Sequence, residues 1–122
     1  MSEPVKSNEP HNNQIILDGV VIQPVEFRFT PSGRAVAQLM IEHISENRQG
    51  EHSINRLELH QHVVALGELA DQCRDFEPGQ GIRVEGSLNQ KRWIRDGKVR
   101  WGKTELYART IQPLDLAGKP GD

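Results

Sequence analysis

Apolar and polar residues alternate along much of this chain, and this alternation restricts the fold more than any other feature of the sequence. In residues 34–45, "RAVAQLMIEHIS", the side chains Ala37, Leu39 and Ile41 fall on one side, and Gln38, Glu42 and Ile44 fall on the other. Residues 15–22 are rich in β-branched side chains. A period of two is typical of strands, because successive side chains point to opposite faces. The sequence therefore predicts a strand in each of these two segments.

Three further segments continue the strand pattern, and one segment interrupts it. Residues 55–62 alternate so that Leu57 and Leu59 are expected to face the core, and residues 81–88 and 104–114 supply the fourth and fifth strands. The fourth strand is expected to bury three side chains: Ile82, Val84 and Leu88. Between the third and fourth strands, apolar residues recur at helical spacing: Leu66, Leu69, Ala70 and Cys73. This spacing predicts one short helix.

The predicted order is strand, strand, strand, helix, strand, strand. An all-β, five-stranded barrel with one short helix between strands three and four is the oligonucleotide/oligosaccharide-binding (OB) fold. That fold binds ligands on strands two and three and through its loops one–two and four–five. A chain of 122 residues has room for one such domain. We assign the domain to residues 14–115, with a disordered leader at 1–13 and a flexible tail at 116–122.

Cysteine usage and the lack of a catalytic pattern narrow the class of protein. The single cysteine, Cys73, cannot form an internal disulfide, and the N-terminal residues show no apolar run of a signal peptide. We therefore expect a cytoplasmic protein. Neither Cys73 nor the hydroxyls of Ser32 and Ser45 have an identifiable general base, so we expect no enzymatic activity.

Histidines on one predicted strand could in principle hold a metal. His60 and His62 stand at i and i+2 on one face of a predicted strand, and His43 or His52 could add a third nitrogen ligand. However, no spaced cysteine or carboxylate completes a ligand set. We therefore expect neither a metal nor a cofactor.

The charge of the chain is unevenly distributed. The net charge is −2, yet between residues 91 and 109 seven basic residues stand against two acidic ones. This segment therefore carries +5 and the remainder −7. Both tryptophans, Trp93 and Trp101, lie in the same segment. A mildly acidic body with one basic region suits contact with a polyanion at one place.

Asp96-Gly97 lies within "NQKRWIRDGKVRW" (89–101) and predicts a two-residue hairpin with a type I′ turn. Folding about this dipeptide sets four pairs: Arg95 with Lys98, Ile94 with Val99, Trp93 with Arg100, and Arg92 with Trp101. One face then carries four cations and an indole: Lys91, Trp93, Arg95, Lys98 and Arg100. The opposite face is mostly apolar: Arg92, Ile94, Val99 and Trp101.

Two interpretations fit this hairpin. Arg95 opposite Lys98 destabilises a hairpin, and a bound polyanion would remove that cost. Single-stranded nucleic acid fits, because phosphates need cations and unpaired bases need an aromatic platform, here Trp93. In the alternative, which needs no ligand, Trp93 and Arg100 form a surface cation–π pair and Trp101 packs on the barrel. We favour nucleic acid for the cationic face and packing on the barrel for Trp101.

Three stretches resemble known families. "TPSGRAVAQLMIEHIS" (30–45) is similar to the Pro-Ser-Gly turn and the "(L/I)-E-H-x-S" strand end of the primosomal replication protein N family, PriB. "GQGIRVEGSLNQKRW" (79–93) resembles the fourth strand and basic loop shared by PriB and the bacterial single-stranded DNA-binding proteins (SSB), and "VVALGELADQC" (63–73) is similar to SSB. The strand end favours PriB. So does the end of the chain at "LAGKPGD", where an SSB is expected to continue into a linker with an acidic tip.

The PriB resemblance implies a non-enzymatic homodimer of DNA replication restart that binds single-stranded DNA and bridges the PriA helicase to DnaT. It maps the basic loop four–five onto six positions: Lys91, Arg92, Arg95, Lys98, Arg100 and Lys103. Arg28 matches a basic position before the turn, and Arg56 and His60 stand in for a strand-three tryptophan that this sequence lacks. With Trp93, these are the expected DNA contacts. The alternatives are a short SSB-type protein and a helicase adaptor with weak DNA affinity.

Overall fold

A computed structural model describes residues 11–48 and 54–115 of the chain. The elements are β1 (Ile15–Val21), β2 (Glu26–Phe29), β3 (Ala35–Arg48), β4 (Ile54–Leu66), α1 (Glu68–Cys73), β5 (Gly81–Arg95) and β6 (Lys98–Leu114). Most of the predicted leader and all of the predicted tail lie outside the described residues. Within the described part of the chain, no helix has the length and apolar character needed to cross a membrane.

Five of the strands close into a barrel. The pairing runs β1–β5–β6–β4–β3, and β1 pairs with β3 to close the circuit. The β4–β6 pair is parallel and the others are antiparallel. The helix α1 lies between the third and fourth barrel strands in chain order. This confirms the predicted all-β fold, a five-stranded OB barrel with one short helix.

A short additional strand was not predicted. β2 pairs with the first residues of β3 outside the closed circuit, with Glu26 opposite Gln38 and Arg28 opposite Val36. Phe27 and Phe29 of this strand meet edge to face, with ring centroids 5.3 Å apart. The alternation at this point covers only four residues, which is too short for a sequence pattern to identify alone.

The core lies on the inner face of the barrel, where the predicted alternation places it. Its largest fully buried side chains come from all five barrel strands and from the helix: Val21, Ile41, Val63, Cys73, Ile82, Val84 and Leu106. Each buried aliphatic side chain of this size contributes about 1.5–3 kcal/mol relative to exposure. The inward prediction for Ala37, Leu39 and Ile41 is confirmed.

Three side chains expected to face the core are exposed instead. Leu57 and Leu59 of β4 are 50% and 39% exposed, and Leu88 of β5 is 37% exposed. On β4, these leucines alternate in phase with Val63, which is fully buried. The prediction is therefore wrong because the long strands run past the end of the closed barrel. Alternation identifies the side of a strand, not where the barrel ends.

Glycine allows β5 to coil sharply at Gly86. The β5–β6 register shifts between Glu85 and Gly86, which indicates a bulge at this point. A Cβ atom on Gly86 would collide with the main-chain carbonyl group of Tyr107. Only glycine allows the two backbones to approach this closely.

Candidate nucleic-acid interface

The distal parts of β5 and β6 form the predicted hairpin with the predicted register. Four pairs form its ladder: Arg92 with Trp101, Trp93 with Arg100, Ile94 with Val99, and Arg95 with Lys98. At the turn, Asp96 and Gly97 have φ angles of 52° and 74°. Positive φ at both central residues is what a type I′ turn requires. The local sequence thus sets the two faces of the hairpin.

A second bulge at the base of this hairpin was not predicted. Gln90 pairs with Thr104 and Arg92 pairs with Trp101, so Lys91 lies opposite two residues of β6, Gly102 and Lys103. An isolated glycine in a strand pattern is a known signal for a bulge, and Gly102 carried that signal. The extra residue places Lys103 beside Lys91 on the rim of a groove.

The cationic face, defined as Lys91, Trp93, Arg95, Lys98 and Arg100, continues onto the outer surface of the barrel. Residues paired across a sheet point to the same side. One outer row crosses four strands: Asn89 of β5, Glu105 of β6, His62 of β4 and Met40 of β3. A neighbouring row reaches β2: Val64, Gln38 and Glu26. The hairpin and the outer side of β2, β3 and β4 therefore form one continuous surface.

The cations of this face are available to a ligand. All four are exposed, and within residues 11–48 and 54–115 no carboxylate oxygen lies within ion-pair distance of them. Trp93 is 47% exposed. An exposed indole can stack on a base, and the cations beside it can contact the phosphates that flank that base.

A groove of about 320 Å³ opens between the hairpin base and β3. Six residues line it: Gln38, Lys91, Trp93, Gly102, Lys103 and Glu105. The six-membered ring of Trp93 packs over Gly102 on one side of this groove. The sequence prediction did not include Gln38 and Glu105, because they reach the groove through strand pairings that no local pattern specifies.

The charges around the groove also affect a neighbouring histidine. Partial burial lowers the pKa of His62, and the positive charge of Lys103 acts in the same direction. The negative charge of Glu105, its partner across β4 and β6, opposes both effects. Since the balance favours the neutral ring, the positive charge at the groove comes from the lysines.

Two of the predicted DNA contacts on the barrel, unlike those on the hairpin, are already engaged by carboxylates. Arg28 is exposed on β2 and points to the same outer side as Glu26, which pairs with Gln38. Arg56 donates a hydrogen bond of 2.6 Å from Nε to Glu58 Oε1. His60 Nε2 lies 3.1 Å from Glu42 Oε2. These carboxylates already hold Arg56 and His60, whereas the hairpin cations have no such partner within the described residues.

The opposite side of the hairpin corrects one prediction. Arg92, Ile94, Val99 and Trp101 share this side, as the register requires, but they do not pack on the barrel. Trp101 is 60% exposed, so the expectation that it covers the barrel is wrong. The hairpin extends beyond the barrel wall, which leaves both of its faces open.

Among the described residues, no group of three or more metal-ligating side chains comes together. Both ring nitrogens of His43 are engaged, Nδ1 at 2.8 Å from the Asp18 carbonyl oxygen and Nε2 at 2.9 Å from Ser45 Oγ. His60 is held by Glu42. His52, the other histidine considered as a ligand, lies outside the described residues.

Comparison with known proteins gives this geometry a family context. A family model described as "another single-strand binding protein family" matches residues 13–98. The single-stranded DNA-binding protein of Thermus thermophilus is 29% identical over 111 residues, which cover 88% of this chain and 41% of that protein. The chain therefore spans about two fifths of the length of this curated relative.

Solved structures share the fold. The crystal structure of the wild-type single-stranded DNA-binding protein from Thermus aquaticus has a TM-score of 0.76 and 29% identity, covering 88% of this chain and 52% of that chain. A Plasmodium falciparum SSB complex with ssDNA has a TM-score of 0.75, covering 89% of this chain and 100% of that chain. With 20% identity, the latter likeness concerns the fold alone.

Proposed function

Because the chain belongs to a single-strand binding protein family, we propose that it binds single-stranded DNA along the cationic face and in the groove beside Trp93. The observation that carries this proposal is the hairpin itself. It presents an exposed indole among cations that have no carboxylate partner within the described residues.

The physical basis has two parts. Phosphates bind along the track of cations and release counterions, which makes the affinity dependent on salt. An unpaired base stacks on Trp93 and contributes about 1–3 kcal/mol. Arg56 and His60 contribute less, since a phosphate must first compete with the carboxylates that hold them.

The test is to replace Arg95, Lys98 and Arg100 together by Ala and to measure oligo-dT binding at several salt concentrations. Loss of three phosphate contacts should weaken binding and reduce the slope of log K against log [salt] by about 2. Unchanged affinity and slope would overturn the proposal.

A matched control removes the same number of charges elsewhere. Arg74, Arg83 and Arg109 each already pair with a carboxylate, those of Asp71, Asp18 and Glu85 respectively. The triple Ala variant of these arginines should keep the salt slope of the original protein. Equal loss in both variants would indicate an effect of net charge and not of the hairpin.

We propose more narrowly that the protein acts in replication restart as a homodimer that bridges the PriA helicase, DNA and DnaT. The "IEHIS" end of the second predicted strand supports this proposal. It predicts that the protein captures both partners from a purified mixture and sediments as a dimer. If it binds oligo-dT but neither partner, the broader assignment as a short SSB-type protein replaces the narrower one.

We also propose that the protein has no catalytic activity of its own. Burial raises the pKa of the Cys73 thiol to about 11, so the nucleophilic thiolate is disfavoured at neutral pH. Turnover of a nucleotide substrate by the purified protein would contradict this expectation.

A further inference from the structure

Glu105 is the most unusual side chain of the groove. It is only 7% exposed, and it is the buried charged residue among the described residues. It lines the groove that holds Trp93. Within residues 11–48 and 54–115 its carboxylate has neither a hydrogen bond nor an ion pair, although Lys91 and Lys103 line the same groove.

The oxygens of this carboxylate still reach solvent, because among the described residues no buried side-chain oxygen lacks a hydrogen-bond partner. The hydrogen bonds of Glu105 are therefore left to water or to a ligand. The groove is open to solvent on the side of the hairpin, where Trp93 is half exposed. A ligand that enters the groove with an N–H group would therefore give Glu105 the partner that the protein does not provide.

We propose that Glu105 accepts a hydrogen bond from the exocyclic amino group of a base stacked on Trp93, so that the groove prefers an amino-bearing base to thymine. This inference rests on the proposed single-stranded DNA binding and assigns a base preference to the same site. Its cavity of about 320 Å³ lies at the lower end of the range of about 300–1,000 Å³ for small-molecule sites.

The two pyrimidines show why the groove discriminates. Cytosine presents the N4 amino group as a donor, which is the group that Glu and Asp side chains accept from in base recognition. Its neighbouring N3 atom is an acceptor that the Gln38 amide, on the wall of the same groove, can meet. Thymine has a carbonyl oxygen in place of the amino group, so its negative edge would face the carboxylate of Glu105.

The experiment compares oligo-dC and oligo-dT of about twelve nucleotides by quenching of tryptophan fluorescence. We expect the protein to bind oligo-dC about fivefold or more tightly, which corresponds to the lower end of discrimination by one base-edge contact. In Glu105→Gln, the amide can donate to thymine O4, and the preference should fall to about equal affinity or reverse. Equal affinity of the unmodified protein for both oligonucleotides overturns the proposal.

Two further variants make the result specific. Glu85→Gln removes the same charge from a carboxylate of β5 that does not line the groove and pairs with Arg109, and it should keep the preference for oligo-dC. Gln38→Ala should reduce the preference without changing the groove charge, and it decides the question if Glu105→Gln does not fold. A preference that persists in Gln38→Ala and Glu105→Gln alike also overturns the proposal. Failure of single-stranded DNA binding itself would appear differently, as no quenching by either oligonucleotide.

Discussion

The indole of Trp93 lies so close to Gly102 that a Cβ atom on Gly102 would come within 3.2 Å of Trp93 Cζ3. The absence of a side chain at position 102 therefore allows the ring to lie this close, and a Cβ atom there would move it by a few tenths of an ångström. Gly102→Ala should displace the indole and weaken oligo-dT binding by about 1 kcal/mol, the lower end of the stacking contribution. Titration by fluorescence anisotropy measures this loss. In a Trp93→Ala background the same substitution should have little further effect, and an equal loss there would contradict the coupling.

Arg95 and Lys98 face each other in the last pair of the hairpin ladder. Opposed like charges destabilise a strand pair, whereas opposite charges stabilise it by about 0.2–1 kcal/mol. Lys98→Glu should therefore raise the free energy of unfolding by about 0.5 kcal/mol and weaken DNA binding. Urea denaturation and oligo-dT titration measure the two effects. If Lys98→Glu lowers both the free energy of unfolding and the affinity for DNA, repulsion between Arg95 and Lys98 does not destabilise the hairpin. Bound DNA would then have no such repulsion to remove.

The local parts of this site could be predicted from the sequence. Asp96-Gly97 and its alternating flanks determine the turn, the register and the two faces of the hairpin, because each depends only on residues near in the chain. The inner side of β3 could be predicted for the same reason. These predictions needed no knowledge of where the strands lie in the barrel.

The remaining features depend on the whole barrel. Leu57 and Trp101 are exposed because their strands extend beyond the closed barrel. An alternating sequence pattern does not show where the barrel ends. Glu105 and Gln38 reach one groove through the parallel β4–β6 pairing and the antiparallel β3–β4 pairing. In the sequence, Glu105 is one of two acidic residues in a basic segment, and nothing near it in the chain indicates that it is buried.

Gly86 tests the packing of the barrel, independently of DNA. A Cβ atom at this position would meet main-chain atoms of Tyr107 and Ala108, which cannot rotate away. Gly86→Ala should therefore lower the free energy of unfolding by about 1–3 kcal/mol, the usual cost of overpacking. Ser87→Ala, at the next position of β5, is the control and should change stability little. If urea denaturation shows the two variants to be equally stable, the close approach of β5 and β6 at this bulge is not required.

Asp18 and Arg83 join β1 to β5 through a bidentate ion pair. Arg83 donates from Nε to Asp18 Oδ1 at 2.8 Å and from Nη2 to Asp18 Oδ2 at 3.0 Å. The hydrogen bonds from Arg83 lower the pKa of the Asp18 carboxyl below its usual 3.8, against the opposing effect of partial burial. A carboxyl whose pKa is lower in the folded protein binds fewer protons there than in the unfolded chain. Its contribution to stability is therefore present above pH 3.8 and disappears as the pH falls through the folded pKa.

Asp18→Asn should consequently be less stable than the original protein at neutral pH, with a difference that shrinks once the pH drops below 3.8. Urea denaturation across this range measures the difference. Asp71→Asn breaks a single contact of 3.5 Å with Arg74 and should have a smaller effect at neutral pH, because one long contact constrains less than a paired one. If the stability difference between Asp18→Asn and the original protein does not change with pH, the substitution disturbs packing alone. The ionised pair with Arg83 would then contribute nothing to the free energy of unfolding.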